Sequence, residues 1–441
     1  MKLYIKTYGC AANVYDSIKI GDLMKPFGYS LSDSMEDASM IVLNTCHVRE
    51  KASEKLYSEL GKIKKYTEKA KKEIIIVVAG CVAQAQGEEI FKRAPWVKVV
   101  VGPQSYHNLP ELLAGLAREN KHVWNLDFPL ESKFDNLPES AEPQGPSAMV
   151  SIQEGCDKFC KFCCVPYTRG AEYSRPLEQV YREIMNLAAQ GSKEITLLGQ
   201  NVNAYHGLDL DGNSVSLAKL ISYIAEIKGI ERIRFTTSHP RDMSDDLIDV
   251  YGSIDKLMPF LHLPVQSGSN KILREMNRKH TREEYLSTIE RLRKRVPDIA
   301  FSSDFIVGYP GETEQDFQDT LDLVKEVGFA QSYSFKYSPR IGTPASILPQ
   351  IAEEIKSDRL ARLQELINKL QVEFNERFLN KTLDVLIDKK GKHDDQFAGR
   401  SRYMQSVIIE DGERFFGKIV NVKIDRILPH SLVGKVHAFA S

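Results

Sequence analysis

Short apolar runs alternate with amphipathic stretches over the first quarter of the chain. Residues 3–5, 40–43, 74–78 and 97–101 are brief, largely β-branched runs that read as strands, whereas 16–25 and 50–64 place apolar residues at helical spacing. This alternation predicts a small parallel sheet with helices on both faces, its ligands gathered beyond the carboxyl ends of the strands. The expected domain covers residues 1–118. Pro129, Pro138, Pro143 and Pro146 then punctuate an irregular polar stretch, and residues 119–145 are expected to be a linker.

Strand and helix patterns resume from 146 to 375. Six strands are expected near 149–153, 194–198, 233–237, 260–263, 299–305 and 331–336, with helices at 177–189, 217–228, 281–293 and 314–327. Six parallel strands with crossover helices predict a partial (β/α)6 barrel of the TIM type, whose chemistry lies at the carboxyl ends of its strands. A long helix is expected at 358–378. The texture then changes to short alternating strands at 382–387, 404–409, 418–424 and 432–437, which predict a compact antiparallel β-barrel over residues 376–441. The fold class is therefore α/β with a small all-β module at its end.

A chain of 441 residues suits two to four domains. No run approaches the ~18 apolar residues of a membrane span, and residues 1–7 read as a strand rather than a secretory leader, so a cytoplasmic protein without membrane association is expected. A net charge of −1 argues against a generally basic nucleic-acid binder. Any RNA contact must rest on local patches, such as the lysines between Lys51 and Lys72.

Candidate chemistry centres on cysteine. Cys156, Cys160 and Cys163 stand in C-x3-C-x2-C spacing directly after the first barrel strand. Structural zinc sites use C-x2-C pairs and need a fourth ligand, which Cys164, adjoining Cys163 and pointing elsewhere, does not supply; it reads as a small buried apolar residue. Disulfides do not suit a long chain without a secretory signal. Three thiolates on a four-iron cubane leave one iron without a protein ligand, open for chemistry. With Phe162 before the last cysteine, the loop resembles the signature of the radical S-adenosylmethionine superfamily. Cys10, Cys46 and Cys81 each follow a strand of the first domain. In a parallel sheet those loops share one edge, so the three thiols are expected to converge as a second such site. His47, beside Cys46, reads as a neighbour rather than a ligand.

Polar and small residues at the other barrel strand ends are the candidates for holding a cofactor. They are Gly199, Gln200 and Asn201 after the second strand, Ser238 after the third, Gln266 after the fourth, and Asp304 and Ile306 at the fifth, together with Phe162. The loop at 308–312 lacks the Lys-Ser/Thr of a phosphate loop, and no dinucleotide fingerprint, nucleophile elbow or metalloprotease helix is present.

Taken together, the chain resembles the methylthiotransferases over essentially its whole length: a cysteine-bearing N-terminal domain, a radical S-adenosylmethionine core and a C-terminal TRAM barrel. Asn44-Thr45-Cys46-His47-Val48-Arg49-Glu50-Lys51-Ala52, Val165-Pro166-Tyr167-Thr168-Arg169-Gly170 with Ser174-Arg175-Pro176, and Leu198-Gly199-Gln200-Asn201-Val202-Asn203 are similar to the tRNA-acting branch. The resemblance implies two 4Fe-4S clusters and S-adenosylmethionine. Cys156, Cys160 and Cys163 would hold the cluster that reduces the cofactor to a 5'-deoxyadenosyl radical. Cys10, Cys46 and Cys81 would hold an auxiliary cluster whose open iron carries the sulfur to be inserted, methylated by a second cofactor molecule.

The implied target is carbon 2 of an isopentenylated adenosine next to the anticodon of tRNA. No protein acid or base takes part. The implied partners are a tRNA anticodon stem-loop, an external one-electron reductant and a sulfur donor, and the chain is expected to be a monomer. The target base must leave its stack to react. Arg49, Lys51, Arg169 and Arg175, with Arg400 and Arg402 of the barrel, are expected to hold RNA. Two other readings stay open at this point: a methylthiotransferase acting on a ribosomal-protein aspartate, and a non-catalytic iron-sulfur RNA-binding protein.

Overall fold

A computed structural model describes residues 1–47, 50–119, 121–129, 131–138, 143–393, 395–410 and 412–439. It divides into two compact units. The first comprises Met1–Glu142 with two later segments, Glu154–Asp157 and Cys163–Tyr173; the second comprises Pro143–Gln153, Lys158–Phe162 and Ser174–Ser441.

The first unit is built on six strands, β1 (Lys2–Tyr8), β2 (Ser30–Leu31), β3 (Met40–Thr45), β4 (Ile75–Ala79), β5 (Val99–Val101) and β6 (Val123–Asn125). All pair in parallel, in the order β2-β1-β3-β4-β5-β6. Every residue of β3 is buried, because helices cover both faces of a parallel sheet. Ile41 and Leu43 pack with Leu56, Leu60 and Ile63 of the helix Glu50–Ala70 on one face. Met40 and Val42 pack with Ile20 and Leu23 of the helix Ala11–Met24 on the other. The stretch expected as a linker departs from that expectation. Val123–Asn125 pairs with β5 as the edge strand, and Lys133 is fully buried in the same unit.

In the second unit, Ser147–Ser151, Glu194–Leu198 and Arg232–Phe235 form one parallel sheet, and Phe260–His262, Ala300–Val307 and Gln331–Lys336 form another. A parallel bridge between Ile233 and Leu257 links the two. The six expected strands are all present, and the helices between them bury one continuous apolar core. The helix Glu353–Glu376 lies along Gln331–Lys336 and adds Leu363 and Ile367 to that core.

The C-terminal module is a closed barrel of five strands, not four. The additional one is Gln396–Ser401, whose Gly399 and polar residues Gln396, Arg400 and Ser401 hide its strand character. Gly399 is needed there, since a Cβ would fall 2.0 Å from the Leu386 carbonyl oxygen. Four of the five pairings are antiparallel, and the fifth, between Ser406–Glu410 and Ser431–Phe439, is parallel. Among the described residues no helix is long and apolar enough to cross a membrane.

Candidate metal and cofactor site

The order β2-β1-β3 places a switch of chain direction between β1 and β3, where open α/β sheets bind ligands beyond the strand ends. Cys10 and Cys46 follow those two strands and Cys81 follows β4. Their loops touch. A Cβ on Gly9 would lie 2.8 Å from the Cys46 Cβ, and one on Gly80 would lie 2.9 Å from the Thr45 carbonyl oxygen, so both approaches require glycine. Gly80 also holds a φ of +89°, which L side chains rarely adopt.

Beneath the thiols lies a closed polar floor. Asn13 Nδ2 donates to Asn44 Oδ1 (3.0 Å), and Asn44 Nδ2 donates to the Asn13 carbonyl (2.9 Å) and to Ser17 Oγ (3.0 Å). Cys46 and Cys81 are buried and Cys10 is exposed. Although the residue as a whole is exposed, the Cys10 thiol is desolvated by its neighbours; hydrogen bonding with Cys46 outweighs this and, with the Arg169 charge and backbone N–H groups, holds the thiol down at about 5. Burial pushes the Cys81 thiol up, and Arg169 opposes that shift. Among the described residues no three His, Cys, Asp or Glu surround a single ion-sized point.

Arg169 belongs to this unit. It ends the short helix Val165–Arg169, which packs on the helix Cys81–Gln86. Its guanidinium pairs with Asp16 Oδ2 (2.6 Å) and Glu154 Oε1 (2.7 Å), and Lys133 Nζ reaches the same two carboxylates at 3.2 and 2.7 Å. All four side chains are buried. Two cations thus balance two anions behind the cysteine loops.

The C-x3-C-x2-C loop is held by backbone and side chain together. Gly155 has a φ of +71°, and a Cβ there would fall 1.9 Å from the Ala171 carbonyl oxygen. Cys156 N–H donates to the Gly170 carbonyl (3.3 Å). Cys160 is buried, Cys156 and Cys163 are half-buried, and Cys164 is buried as expected of a small apolar residue. Three residues outside the motif grip the loop. Asn277 Nδ2 donates to the Lys158 and Phe159 carbonyls (3.2 and 3.0 Å), the Met276 carbonyl accepts from Lys161 N–H (3.0 Å), and Arg278 donates to Cys160 Sγ at 3.5 Å. Such donors to ligand sulfur are among the determinants of cluster potential. Nothing in the sequence spacing points to these residues, because they lie over a hundred positions away. Phe162 packs against the buried group of Met276, Tyr309 and Tyr337.

Several of the expected cofactor residues are held by local hydrogen bonds. Gln153 Oε1 accepts from the N–H groups of Gln200 and Asn201 (2.8 and 2.9 Å), and Gly199 leaves no room for a Cβ against Gln153. Gln266, with φ +78°, exchanges backbone hydrogen bonds with Asp304 and Ile306. Asn201 Oδ1, Ser238 Oγ, His239 Nε2, Arg278 Nε and His280 Nε2 are all buried without a hydrogen-bond partner among the described residues. Orphaned polar atoms are costly, and a polar ligand is one way to satisfy them. The set fits S-adenosylmethionine, with its amino, carboxylate and ribose groups. His239 lies in Ser238-His239-Pro240, the segment that the sequence nominates at the third strand end, whereas no sequence signal marks Arg278 and His280.

The expected RNA-binding residues fare differently. Arg169 and Arg175 are corrected: both are buried, and Arg175 is spent on Glu183 Oε2 and the Ser151 carbonyl (both 2.7 Å), so neither offers a free head to a phosphate. Arg402 pairs with Asp255, and Arg400 donates to the Met404 carbonyl at 3.1 Å. Arg49 and the Lys51 side chain lie outside the described residues.

Comparison with known proteins bears on this arrangement. Residues 150–324 match the Radical SAM superfamily, residues 2–102 the uncharacterized protein family UPF0004, and residues 376–437 the TRAM domain. Over 441 residues the chain is 59% identical to the tRNA-2-methylthio-N(6)-dimethylallyladenosine synthase of Rickettsia felis, covering 99% of each chain. It is 60% identical to the protein of the same name from Wolbachia pipientis, covering 98% of this chain and 99% of that one. The fold also resembles a solved radical S-adenosylmethionine methyltransferase, TsrM from Kitasatospora setae, with a TM-score of 0.58 at 13% identity over 78% of this chain and 77% of that one. The chain belongs to the family of the tRNA-2-methylthio-N(6)-dimethylallyladenosine synthases, within the radical S-adenosylmethionine superfamily.

Proposed function

We propose that this chain transfers a methylthio group to carbon 2 of N(6)-isopentenyladenosine next to the anticodon of tRNA, with S-adenosylmethionine as both methyl donor and radical source. The observation that carries the reading is full-length identity of 59–60% to relatives named for this activity. All six candidate ligand cysteines are present. When bound, the cluster and S-adenosylmethionine supply radical chemistry able to break an aromatic C–H bond, which acid-base groups cannot do.

The chain's own residues position and exclude. Cys156, Cys160 and Cys163 hold the first 4Fe-4S cluster, with Arg278 and Asn277 fixing their loop. Phe162, Gly199, Gln200, Asn201, Ser238, Gln266, Asp304 and Ile306 hold S-adenosylmethionine. Cys10, Cys46 and Cys81 hold a second 4Fe-4S cluster, and the convergence of their loops at Gly9 and Gly80 supports this assignment. Arg169 and Lys133 keep charge balanced behind those thiols. The TRAM barrel grips the tRNA stem. An external one-electron reductant and a sulfur donor complete the reaction, and the protein works as a cytoplasmic monomer.

The test is anaerobic reconstitution with iron, sulfide, reductant and S-adenosylmethionine, followed by mass analysis of nucleosides from isopentenylated tRNA. A methylthio mark on the isopentenyladenosine is expected. The same mark on a ribosomal-protein peptide, with tRNA untouched, would replace this reading by the aspartate-modifying one.

A further inference from the structure

The second half of the barrel carries an exposed aromatic surface that neither cysteine trio uses. Along Ala300–Val307, Phe301, Phe305 and Val307 enter the core packed under the helices, so Ser302, Asp304 and Ile306 take the opposite, inner face. The ladder pairs Asp304 with Tyr333 and Ile306 with Phe335, and registered residues of parallel strands share a face. Tyr333 and Phe335 therefore stand on the inner face. They are 52% and 46% exposed, on the terminal strand of their sheet. Their partners on the other face, Ser334 and Lys336, lie toward the helix Glu353–Glu376, where Lys336 pairs with Glu353.

Exposed aromatic rings on an inner wall mark a binding surface. Two residues apart on a strand, these rings start about 6.6 Å apart, close to twice the ~3.4 Å step between stacked bases, so one planar ring fits between them or against either. The polar rim is acidic: Asp304 is partly exposed, with His262 Nε2 3.6 Å from Asp304 Oδ2 and the His262 ring edge-on to Tyr333. A carboxylate accepts from an exocyclic N–H of a purine and repels a phosphate.

We propose that Tyr333 and Phe335 form the stacking platform for the target adenine of the RNA substrate, which rests on the function proposed above. Their ladder partners Asp304 and Ile306 are cofactor candidates, so a base on this platform lies beside S-adenosylmethionine, as a radical reaction demands. Aromatic stacking is the usual way of holding a base that has left its helix.

The experiment uses the full chain with clusters reconstituted. A synthetic anticodon stem-loop bearing isopentenyladenosine is compared with one that is abasic at that nucleotide, by fluorescence anisotropy, alongside S-adenosylmethionine affinity. Tyr333→Ala and Phe335→Ala should each weaken the base-bearing RNA roughly tenfold while leaving the abasic RNA and the cofactor unchanged. Phe335→Tyr and Tyr333→Phe should restore most of the loss. Equal loss on both RNAs, no loss, or a loss of cofactor affinity instead would each overturn the platform. A wild-type chain that binds the two RNAs alike would overturn the platform, whereas the tRNA reading it rests on falls only if neither RNA binds.

Discussion

Arg169 carries its charge in a site closed to water, held by Asp16 and Glu154 on one side and flanked by the Cys10 and Cys81 thiols on the other. Removing one partner of such a buried set leaves uncompensated charge behind, at a cost of about 3–5 kcal/mol. Arg169→Ala should lose that much in urea unfolding, and Arg169→Lys should recover part of it. The same variant should leave the salt dependence of RNA binding as in wild type. A smaller salt slope with unchanged stability would return Arg169 to the RNA-binding role its sequence position suggests. An arginine beside a cysteine loop reads the same in one dimension whether it meets a phosphate or a carboxylate. Asp16 and Glu154 are 138 residues apart in the chain, and only folding brings them to it.

At the scale of the element, the helix Glu314–Val327 shows how the barrel fixes its helix starts. Thr313 and Asp316 form a reciprocal capping box, and Asp316 also accepts from Lys271 Nζ (2.8 Å) and Ser269 Oγ (2.7 Å). Burial alone would raise the Asp316 carboxyl, but the Lys271, Thr313 and Ser269 donors outweigh it and hold it below the usual carboxylate range. A depressed carboxylate contributes stability that is present above its unfolded value near 3.9 and lost as pH falls toward the folded one. Asp316→Asn should therefore cost about 1–2 kcal/mol at pH 7, and the gap to wild type should close below about pH 4 in acid unfolding. A gap independent of pH would rule this carboxylate out as the cause.

The Gly80 turn after β4 offers a second element-scale prediction. Gly80→Ala meets Asn44 Oδ1 at 2.3 Å in a left-handed backbone, so it should displace Cys81 and lower bound iron by about half, read by iron assay and electron paramagnetic resonance. Full iron content would show that the trio tolerates the shift. Strands and helices of this kind are legible from apolar periodicity, because burial on both faces demands continuous apolar runs. The strand Gln396–Ser401 was not legible. Its buried apolar run is short, Phe397 and Ala398, and is cut by the tight backbone crossing at Gly399.

Across the whole molecule, the two cysteine trios are nominated by local traces in the sequence, tight spacing in one loop and matching strand ends in the other three, and the fold brings the loops of Cys10, Cys46 and Cys81 into contact. What holds those loops could not be read. Asn277 against the Phe159 carbonyl, Arg278 against Cys160, Lys133 against Asp16, and Asp304 beside Tyr333 are joined by tertiary contact alone. The central claim is that one cysteine trio handles the cofactor and the other the sulfur. The direct measurement is one anaerobic turnover experiment on Cys81→Ala beside wild type, reading 5'-deoxyadenosine release and tRNA nucleosides by mass spectrometry. The account predicts that Cys81→Ala still releases 5'-deoxyadenosine while the methylthio mark disappears; methylthiolated tRNA from Cys81→Ala would contradict it.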